Sequence, residues 1–264
     1  MPLTPFQAGV ARALSRGRSE DSFLAGGAAI HLEPNSLRFS NDLDYFNDSA
    51  ERVALAFEAD ELFLKQVGYE VSVMIERPGF VRAIVSTTKG KTKESTKVEW
   101  VHDSAWRFFP AVVDDRVGYL LHPIDLAINK LLALVGRDEP RDLLDTLFVQ
   151  ERTLCLGAMV WAATGKDPGF TPATILSMLR RRGRIHPEDL ERLVLTEVPD
   201  LTTIKQSWLD ALQQAEAFIA SRVPEELGCL YYSPSLPGFP HDPSLVADVV
   251  PHYGRPGGVL PTVC

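Results

Sequence analysis

The segment Ser22–Phe46, SFLAGGAAIHLEPNSLRFSNDLDYF, decides the fold of this chain. Its first four residues form a compact apolar run, which predicts a strand ending at Gly26-Gly27. A short helix is predicted over 28–32, directly after the glycine pair. In Asp42–Phe46 polar and apolar side chains alternate, which is typical of a strand with one face on a core. The segment therefore predicts a strand, a glycine turn, a helix, a loop and a second strand.

The alternation in the second strand places two carboxylates on one face. Side chains two positions apart share a face of a strand, so Asp42 and Asp44 are expected side by side. Two like charges this close repel each other unless one is protonated or a cation lies between them. Carboxylate oxygens suit Mg²⁺, which also takes phosphate oxygens from a substrate. The backbone N–H groups of Gly26 and Gly27, at the start of a helix, are expected to approach such a phosphate.

A third carboxylate would complete a site for two metal ions, and Glu99 is the candidate. It lies in the predicted strand 96–102, several elements after Asp44. There it is expected to bind the second ion and to accept a proton from an attacking hydroxyl. Each piece alone also has an ordinary structural interpretation, as a turn signal or as a solvated residue on an edge strand. The order of the pieces along the chain favours a site.

The remaining pattern predicts an α+β protein, with a mixed sheet in the N-terminal half and a helical C-terminal half. Spacing of apolar residues predicts a helix over 49–67. Strands are predicted over 69–77, 80–88 and 96–102, with a turn at 78–79 and a lysine-rich loop over 89–95. Further helices are predicted over 124–135, from about 140, and over 153–164, 172–182, 187–195 and 201–221.

Proline content marks the end of the chain as different from the rest. Residues 224–264 hold 8 of the 19 prolines, so regular helix and central strand are excluded there. The same residues retain aromatic and aliphatic side chains, which predicts a tail packed on the body. We therefore expect a catalytic domain over 1–150, a helical domain over 151–223 and the Pro-rich tail over 224–264.

A second group of charges lies in the segment NKLLALVGRDEPRDLLD, which begins at residue 129. Lys130 is on a mostly apolar predicted helix, where a cation is costly unless an anion accompanies it. Asp142 and Asp145 are i, i+3 neighbours on the next helix, with Arg137 and Arg141 just before them. Two interpretations are open: ion pairs between two helix surfaces, or a clamp for phosphate groups. The first motif favours the clamp.

Composition excludes several classes of protein. The 264 residues carry 27 Lys and Arg against 35 Asp and Glu, a formal net charge of −8, so the surface as a whole is not built for polyanions. Three widely spaced cysteines exclude a disulfide scaffold and a cysteine zinc site, and indicate a reducing compartment. No apolar run approaches the length of a membrane span. We expect a soluble, cytoplasmic protein without a membrane partner.

Two local clusters of basic residues are candidates for contact with an RNA backbone. Residues 82–107 contain six basic and three acidic side chains, and the segment 180–184 reads Arg-Arg-Arg-Gly-Arg. Phosphate contacts of this kind would make binding fall steeply with salt. The alternative is that both clusters are solvated loops and helix ends, since cations favour helix C-termini. For the arginine run the two interpretations carry equal weight.

The glycine pair followed by Asp42-x-Asp44 resembles the signature of the polymerase-β-like nucleotidyltransferases. More narrowly, the chain resembles the AbiEii/AbiGii toxin family of bacterial type IV toxin–antitoxin systems, including the MenT-like toxins that act on tRNA. The first motif of that family is similar to Gly26–Ala29 with Arg38–Phe46 here, and the second is similar to Asn129–Asp145. The resemblance covers roughly residues 20–150.

This resemblance implies a polymerase-β-like nucleotidyltransferase fold over 1–150 and a metal-dependent transfer of NMP from an NTP to a hydroxyl. The implied cofactor is Mg²⁺, as one or two ions bound by Asp42, Asp44 and Glu99, with Mn²⁺ as an alternative. Lys130 is implied as the further catalytic residue. The implied partners are an NTP donor, an RNA acceptor of the tRNA type and a cognate antitoxin. The implied nucleotide-binding residues are Gly26, Gly27, Arg38, Ser40, Lys130, Arg137, Arg141, Asp142 and Asp145.

Two other functions compete with RNA modification. The first is nucleotidyl transfer to a small molecule such as an aminoglycoside, which the acidic net charge favours and the basic clusters oppose. The second is a catalytically inactive module that binds nucleotide or RNA. Retention of Asp42, Asp44 and Lys130 argues against the inactive module, because a charged cluster without a ligand is costly.

Overall fold

The structure is a computed structural model. It describes residues 3–32, 36, 38–89, 92–137, 139–236 and 238–261. The chain divides into two compact units. The first comprises Met1–Ala105 and Pro110–His122, and the second comprises Trp106–Phe109 and Pro123–Cys264.

The described residues form the following helices and strands. The α-helices are α1 (Pro5–Leu14), α2 (Gly26–Ile30), α3 (Ala50–Gln66), α4 (Pro123–Gly136), α5 (Pro140–Arg152), α6 (Leu156–Lys166), α7 (Pro172–Arg182), α8 (Pro187–Glu191) and α9 (Leu201–Ala220). The strands are β1 (Ser22–Ala25), β2 (Asp42–Asn47), β3 (Glu70–Arg77), β4 (Phe80–Lys89), β5 (Thr92–His102), β6 (Trp106–Arg107), β7 (Val112–Asp114), β8 (Gly118–Leu120), β9 (Leu230–Tyr232), β10 (Val250–His252) and β11 (Arg255–Pro256).

Seven of the described strands form one mixed sheet in the first unit, in the order β3-β4-β5-β2-β1-β8-β7. Strand β2 pairs in parallel with β5 and antiparallel with β1, and β1 pairs in parallel with β8. The pairs β3–β4 and β4–β5 are antiparallel. The predicted turn between β3 and β4 is confirmed, with Gly79 at a φ of +73°. Strands β2 and β5 therefore lie side by side in the interior of the sheet.

Alternation along β2 and β5 separates an apolar face of the sheet from a charged face. Leu43 and Tyr45 are buried, and so are Val98 and Trp100, their register partners on β5. Helix α3 covers this apolar face, where Phe57 meets the ring of Trp100 edge-on with centroids 5.1 Å apart. Burying side chains of this size stabilises the fold by roughly 1.5–3 kcal/mol each. The charged residues of the same two strands consequently emerge on the opposite face.

Helices dominate the second unit. Helix α6 packs against α9, and α4 packs against α5, α6 and α7. Short antiparallel pairs, β9 with β10 and β6 with β11, use residues of the Pro-rich segment. Phe239 and His252 from this segment pack against Phe109, with ring centroids 4.7 and 5.0 Å away. Aromatic contacts therefore fix the Pro-rich segment within the second unit.

The predicted α+β class, a mixed sheet followed by helices, is confirmed. The prediction of a loop over 89–95 is wrong for its later residues, because β5 begins at Thr92. Thr88 pairs with Lys93, and Ser86 pairs with Ser95. Backbone pairing between β4 and β5 therefore continues into residues whose side chains do not alternate between polar and apolar. Positions 90 and 91 of that predicted loop lie outside the described residues.

Helix boundaries also differ from the sequence-based expectation. The helix predicted over 28–32 begins at Gly26, so the glycine pair forms its first turn. The helix predicted over 187–195 ends at Glu191. The division into domains at 150 and 223 stays a prediction. Among the helices of the described residues, none has the length and apolar character needed to cross a membrane.

Candidate active site

Two aspartates of β2 stand on the charged face of the sheet. Asp42 and Asp44 alternate with the buried Leu43 and Tyr45, and each keeps part of its surface exposed. The side chain of Asp42 is 16% exposed, so its carboxylate is reachable from solvent without being fully solvated. The strand therefore presents two carboxylates in the arrangement that its alternation predicts.

Strand β5 places two further charged residues beside these aspartates. In the parallel register of β2 and β5, Lys97 lies opposite Asp42 and Glu99 lies opposite Asp44. The Nζ atom of Lys97 is 2.9 Å from Oδ2 of Asp42 and 3.1 Å from Oε1 of Glu99. Arg82 of β4 donates a hydrogen bond from Nε to the same Oε1 of Glu99 at 2.7 Å. Three carboxylates and two cations thus lie close together on the neighbouring strands β2, β5 and β4.

These ion pairs affect the protonation of Lys97. Partial burial alone lowers the pKa of its ammonium group, but hydrogen bonds to Asp42 and Glu99 and the charges of both carboxylates outweigh burial. The net result is a pKa above the usual value for lysine. Lys97 therefore stays a cation at neutral pH.

Gly26 is required by the position of Asp44. Ala25 and Asp44 are antiparallel register partners, so the chain at Gly26 passes close to this carboxylate. Gly26 has a φ of +63°, in the left-handed region that favours glycine. A Cβ atom at Gly26 would lie 2.9 Å from Cγ of Asp44 and 3.0 Å from its Cβ, and closer still to Oδ2. The missing side chain leaves the space that the Asp44 carboxylate occupies.

Gly27 has a similar relation to Arg38 and Ser40. A Cβ atom at Gly27 would lie 2.8 Å from a terminal nitrogen of the Arg38 guanidinium and 3.4 Å from Oγ of Ser40. Both side chains are buried. The hydroxyl of Ser40 donates to the carbonyl oxygen of Asp42 at 3.0 Å. The structure thus gathers Gly27, Arg38 and Ser40 at the start of β2, beside the aspartates.

Gln7 of α1 belongs to this neighbourhood, and sequence reasoning missed it. Its Nε2 donates to the carbonyl oxygen of Ser40 at 2.9 Å, and its Oε1 accepts from the backbone N–H of Thr4 at 2.9 Å. One side chain therefore caps α1 and fixes the segment that leads into β2. The capping pattern Thr4-x-x-Gln7 is visible in the sequence, but the contact with Ser40 is not.

Within the described residues, no three His, Cys, Asp or Glu side chains converge as a ready-made metal site. Asp42, Asp44 and Glu99 are neighbours by register, but Glu99 is engaged with Arg82 and Lys97. The sequence places these two cations in the basic cluster over 82–107, for which contact with RNA and a solvated surface are the two interpretations. In the structure each of the two is paired with a carboxylate of the site, and contact of this cluster with RNA stays a prediction. Lys91 of that cluster lies outside the described residues.

The second unit holds the other predicted group of charges. Lys130 of α4 contacts Oδ1 of Asp142 and Oδ2 of Asp145, each at 3.0 Å, and both aspartate side chains are 0% exposed. Arg137 donates from Nε to Oδ2 of Asp142 at 2.6 Å. Lys130 is itself buried, so these are not ion pairs between helix surfaces. Arg141 lies half-buried beside this cluster, on the first turn of α5.

Electrostatics in this cluster favour the charged form of Asp142. Burial raises the pKa of Asp142, but the neighbouring Arg137 and Lys130 more than offset burial and leave the pKa below its usual value. The side chain of Arg137 is 52% exposed, so one end of the cluster reaches solvent. The structure thus brings Lys130, Arg137, Asp142 and Asp145 together.

Comparison with known proteins identifies the class of this protein. Residues 11–221 match the family model described as "Nucleotidyl transferase AbiEii toxin, Type IV TA system". Because this match spans most of the chain, the protein is a nucleotidyltransferase. It belongs to the AbiEii toxin family of type IV toxin–antitoxin systems, as its two motifs predicted.

Two solved structures are similar to this chain at low sequence identity. The chain is similar to JHP933 from Helicobacter pylori, with 18% identity, a TM-score of 0.48, and coverage of 81% of this chain and 90% of that one. It is also similar to a candidate nucleotidyltransferase from H. pylori, with 18% identity, a TM-score of 0.47, and coverage of 81% and 93%. No curated protein matches the chain significantly.

Proposed function

We propose that this protein transfers NMP from an NTP to a hydroxyl group of RNA, with tRNA as the acceptor class, in a reaction that depends on Mg²⁺. The observation that carries the proposal is the pair Asp42 and Asp44 on one face of β2, with Glu99 beside Asp44. The family supports the reaction class. It also supports an antitoxin as a partner of this chain.

The residues present fit a divalent cation. Asp42, Asp44 and Glu99 offer the carboxylate oxygens that Mg²⁺ and Mn²⁺ prefer. The place between Asp42 and Glu99 already accommodates a cation, the ammonium group of Lys97. We assign Asp42 and Asp44 as the main ligands, with Glu99 as a third. When bound, the metal would neutralise triphosphate oxygens and make the α-phosphorus more electrophilic.

The protein's own groups position the reactants. Backbone N–H groups of Gly26 and Gly27, with Ser40 and Arg38, would hold the distal phosphates of the NTP. Glu99, the third proposed ligand, would also accept the proton of the acceptor hydroxyl as a general base. The acceptor oxygen then forms a bond to the α-phosphorus, and the bond to the departing pyrophosphate breaks.

We assign the cluster of the second unit to charge compensation. Lys130 and Arg137 would neutralise negative charge on the departing pyrophosphate. Asp142 and Asp145 would act as positioning residues, because both hold Lys130 at 3.0 Å. Arg141 is proposed as a further phosphate contact. That the aspartates of β2 and the cluster around Lys130 bind the same substrate stays a prediction.

The exposed arginines at the end of α7 support an RNA acceptor. Arg181 and Arg184 are exposed, whereas Arg180 is paired with Glu216. Contacts of such side chains with an RNA backbone would supply affinity without sequence specificity.

The test incubates the protein with each α-labelled NTP, Mg²⁺, and either total RNA or a panel of aminoglycosides. An Asp44→Ala variant is the negative control, and Asp48→Ala, four positions along the chain, is the matched control. The proposal expects label in tRNA with wild type and Asp48→Ala but not with Asp44→Ala. Label on an aminoglycoside and never on RNA would instead support small-molecule modification. No transfer to any acceptor would support an inactive binding module.

A further inference from the structure

Lys97 occupies the place between two of the proposed metal ligands. It lies opposite Asp42 in the register of β2 and β5 and two residues before Glu99 on the same strand face. Its Nζ contacts one oxygen of each carboxylate, at 2.9 and 3.1 Å, and the side chain is only 29% exposed. Glu99 has a second cationic partner in Arg82.

A divalent ion and this ammonium group would compete for the same oxygens. The ammonium compensates the repulsion between the two carboxylates when no metal is present. A metal bound to the same carboxylates would place a double positive charge within a few Å of Nζ, and like charges at that distance repel strongly in a partly buried site. Metal binding therefore requires Lys97 to withdraw from at least one of its two partners.

Resting on the proposed function, we propose that Lys97 is a positioning residue that holds Asp42 and Glu99 together without metal and weakens metal binding by occupying their shared space. Arg82 keeps Glu99 in place when Lys97 withdraws, because both cations contact the same Oε1 atom. An NTP that arrives with its metal offers negative oxygens to the displaced ammonium. Tight metal binding is consequently reserved for the complex with nucleotide.

The test measures binding of Mn²⁺ to the full chain without nucleotide, by the electron paramagnetic resonance signal of free Mn²⁺. The variant Lys97→Met removes the charge and keeps the length of the side chain. Lys93→Met, which makes the same change at an exposed position of β5, is the matched control. We expect Lys97→Met to bind Mn²⁺ at least about tenfold more tightly than wild type, and Lys93→Met and Lys97→Arg to bind within about threefold of wild type.

A second measurement keeps the test informative if Lys97→Met folds poorly. Lys97→Gln retains hydrogen bonding without the charge, and its melting temperature should be below that of wild type without metal but rise more on addition of Mn²⁺. Equal or weaker Mn²⁺ binding in a folded, uncharged variant would overturn the role of Lys97. The Asp42→Asn variant separates this result from failure of the proposed site: if wild type and Asp42→Asn bind Mn²⁺ equally, both the metal site and the inference are wrong.

Discussion

Replacement of Gly26 by alanine tests whether the position of Asp44 is essential. The new Cβ would lie 2.9 Å from Cγ of Asp44, where ordinary contacts between such atoms are at least about 3.4 Å. Asp44 must therefore move by roughly half an ångström or more. A misplacement of about 1 Å costs about 100-fold in rate, so a shift of half that size or more should cost roughly tenfold to 100-fold. The φ of +63° adds backbone strain of roughly 1–2 kcal/mol to the folded state.

Gly68→Ala is the matched control for this variant. Gly68 has a φ of +90°, and a Cβ atom there would have no neighbour within 4 Å. It therefore carries the backbone strain without the clash. Both variants are assayed by urea unfolding and by transfer of label from an NTP under single-turnover conditions. We expect similar losses of stability, with the loss of rate confined to Gly26→Ala. Equal rates in the two variants would refute the role given to the Gly26–Asp44 contact.

Three further predictions concern stability and RNA binding. Lys130→Met leaves Asp142 and Asp145 buried without their shared cation. The free energy of unfolding should therefore fall by roughly 3–5 kcal/mol in urea titrations. A loss below about 1 kcal/mol would contradict the role given to the buried cluster. Burial raises the pKa of Asp125 to about 6, so the folded chain binds a proton at this carboxyl more readily than the unfolded chain does. The contribution of Asp125 to the free energy of unfolding should therefore fall as pH rises from about 4 to 6. If the free energies of unfolding of wild type and Asp125→Asn differ by the same amount throughout that range, the prediction is wrong. Replacing both Arg181 and Arg184 by glutamine should weaken RNA binding and reduce the slope of log affinity against log salt by about one per lost phosphate contact, as filter binding at several salt concentrations would measure.

Local sequence pattern was sufficient to predict the strand that carries Asp42 and Asp44. Alternation in Asp42–Phe46 predicts the strand and the shared face of its carboxylates, because the period of a strand is a property of the backbone. The lone cation on an apolar helix likewise predicts that Lys130 has anionic partners, because an unpaired buried charge is too costly. Asp142 and Asp145, which meet Lys130 in the structure, are near it in the sequence.

Contacts between strands that lie far apart in the sequence could not be predicted from local pattern. The neighbours of Asp42 and Asp44 depend on the register between β2 and β5, which is set by packing of residues more than fifty positions apart. For this reason the sequence places Lys97 in a basic cluster over 82–107 but does not predict its ion pair with Asp42. The hydrogen bond from Gln7 to Ser40 joins residues 33 positions apart, and no periodicity in the sequence predicts it.

A change of metal preference tests coordination by Asp44 most directly. In Asp44→Cys a thiolate replaces the carboxylate, and thiolates prefer softer ions such as Cd²⁺ over Mg²⁺. Label transfer is measured for wild type and variant with each ion, and the ratio of the two rates is compared between the proteins. We predict that the ratio of the Cd²⁺ rate to the Mg²⁺ rate rises at least about tenfold in Asp44→Cys. An unchanged ratio in a folded variant would contradict a metal ion at Asp44.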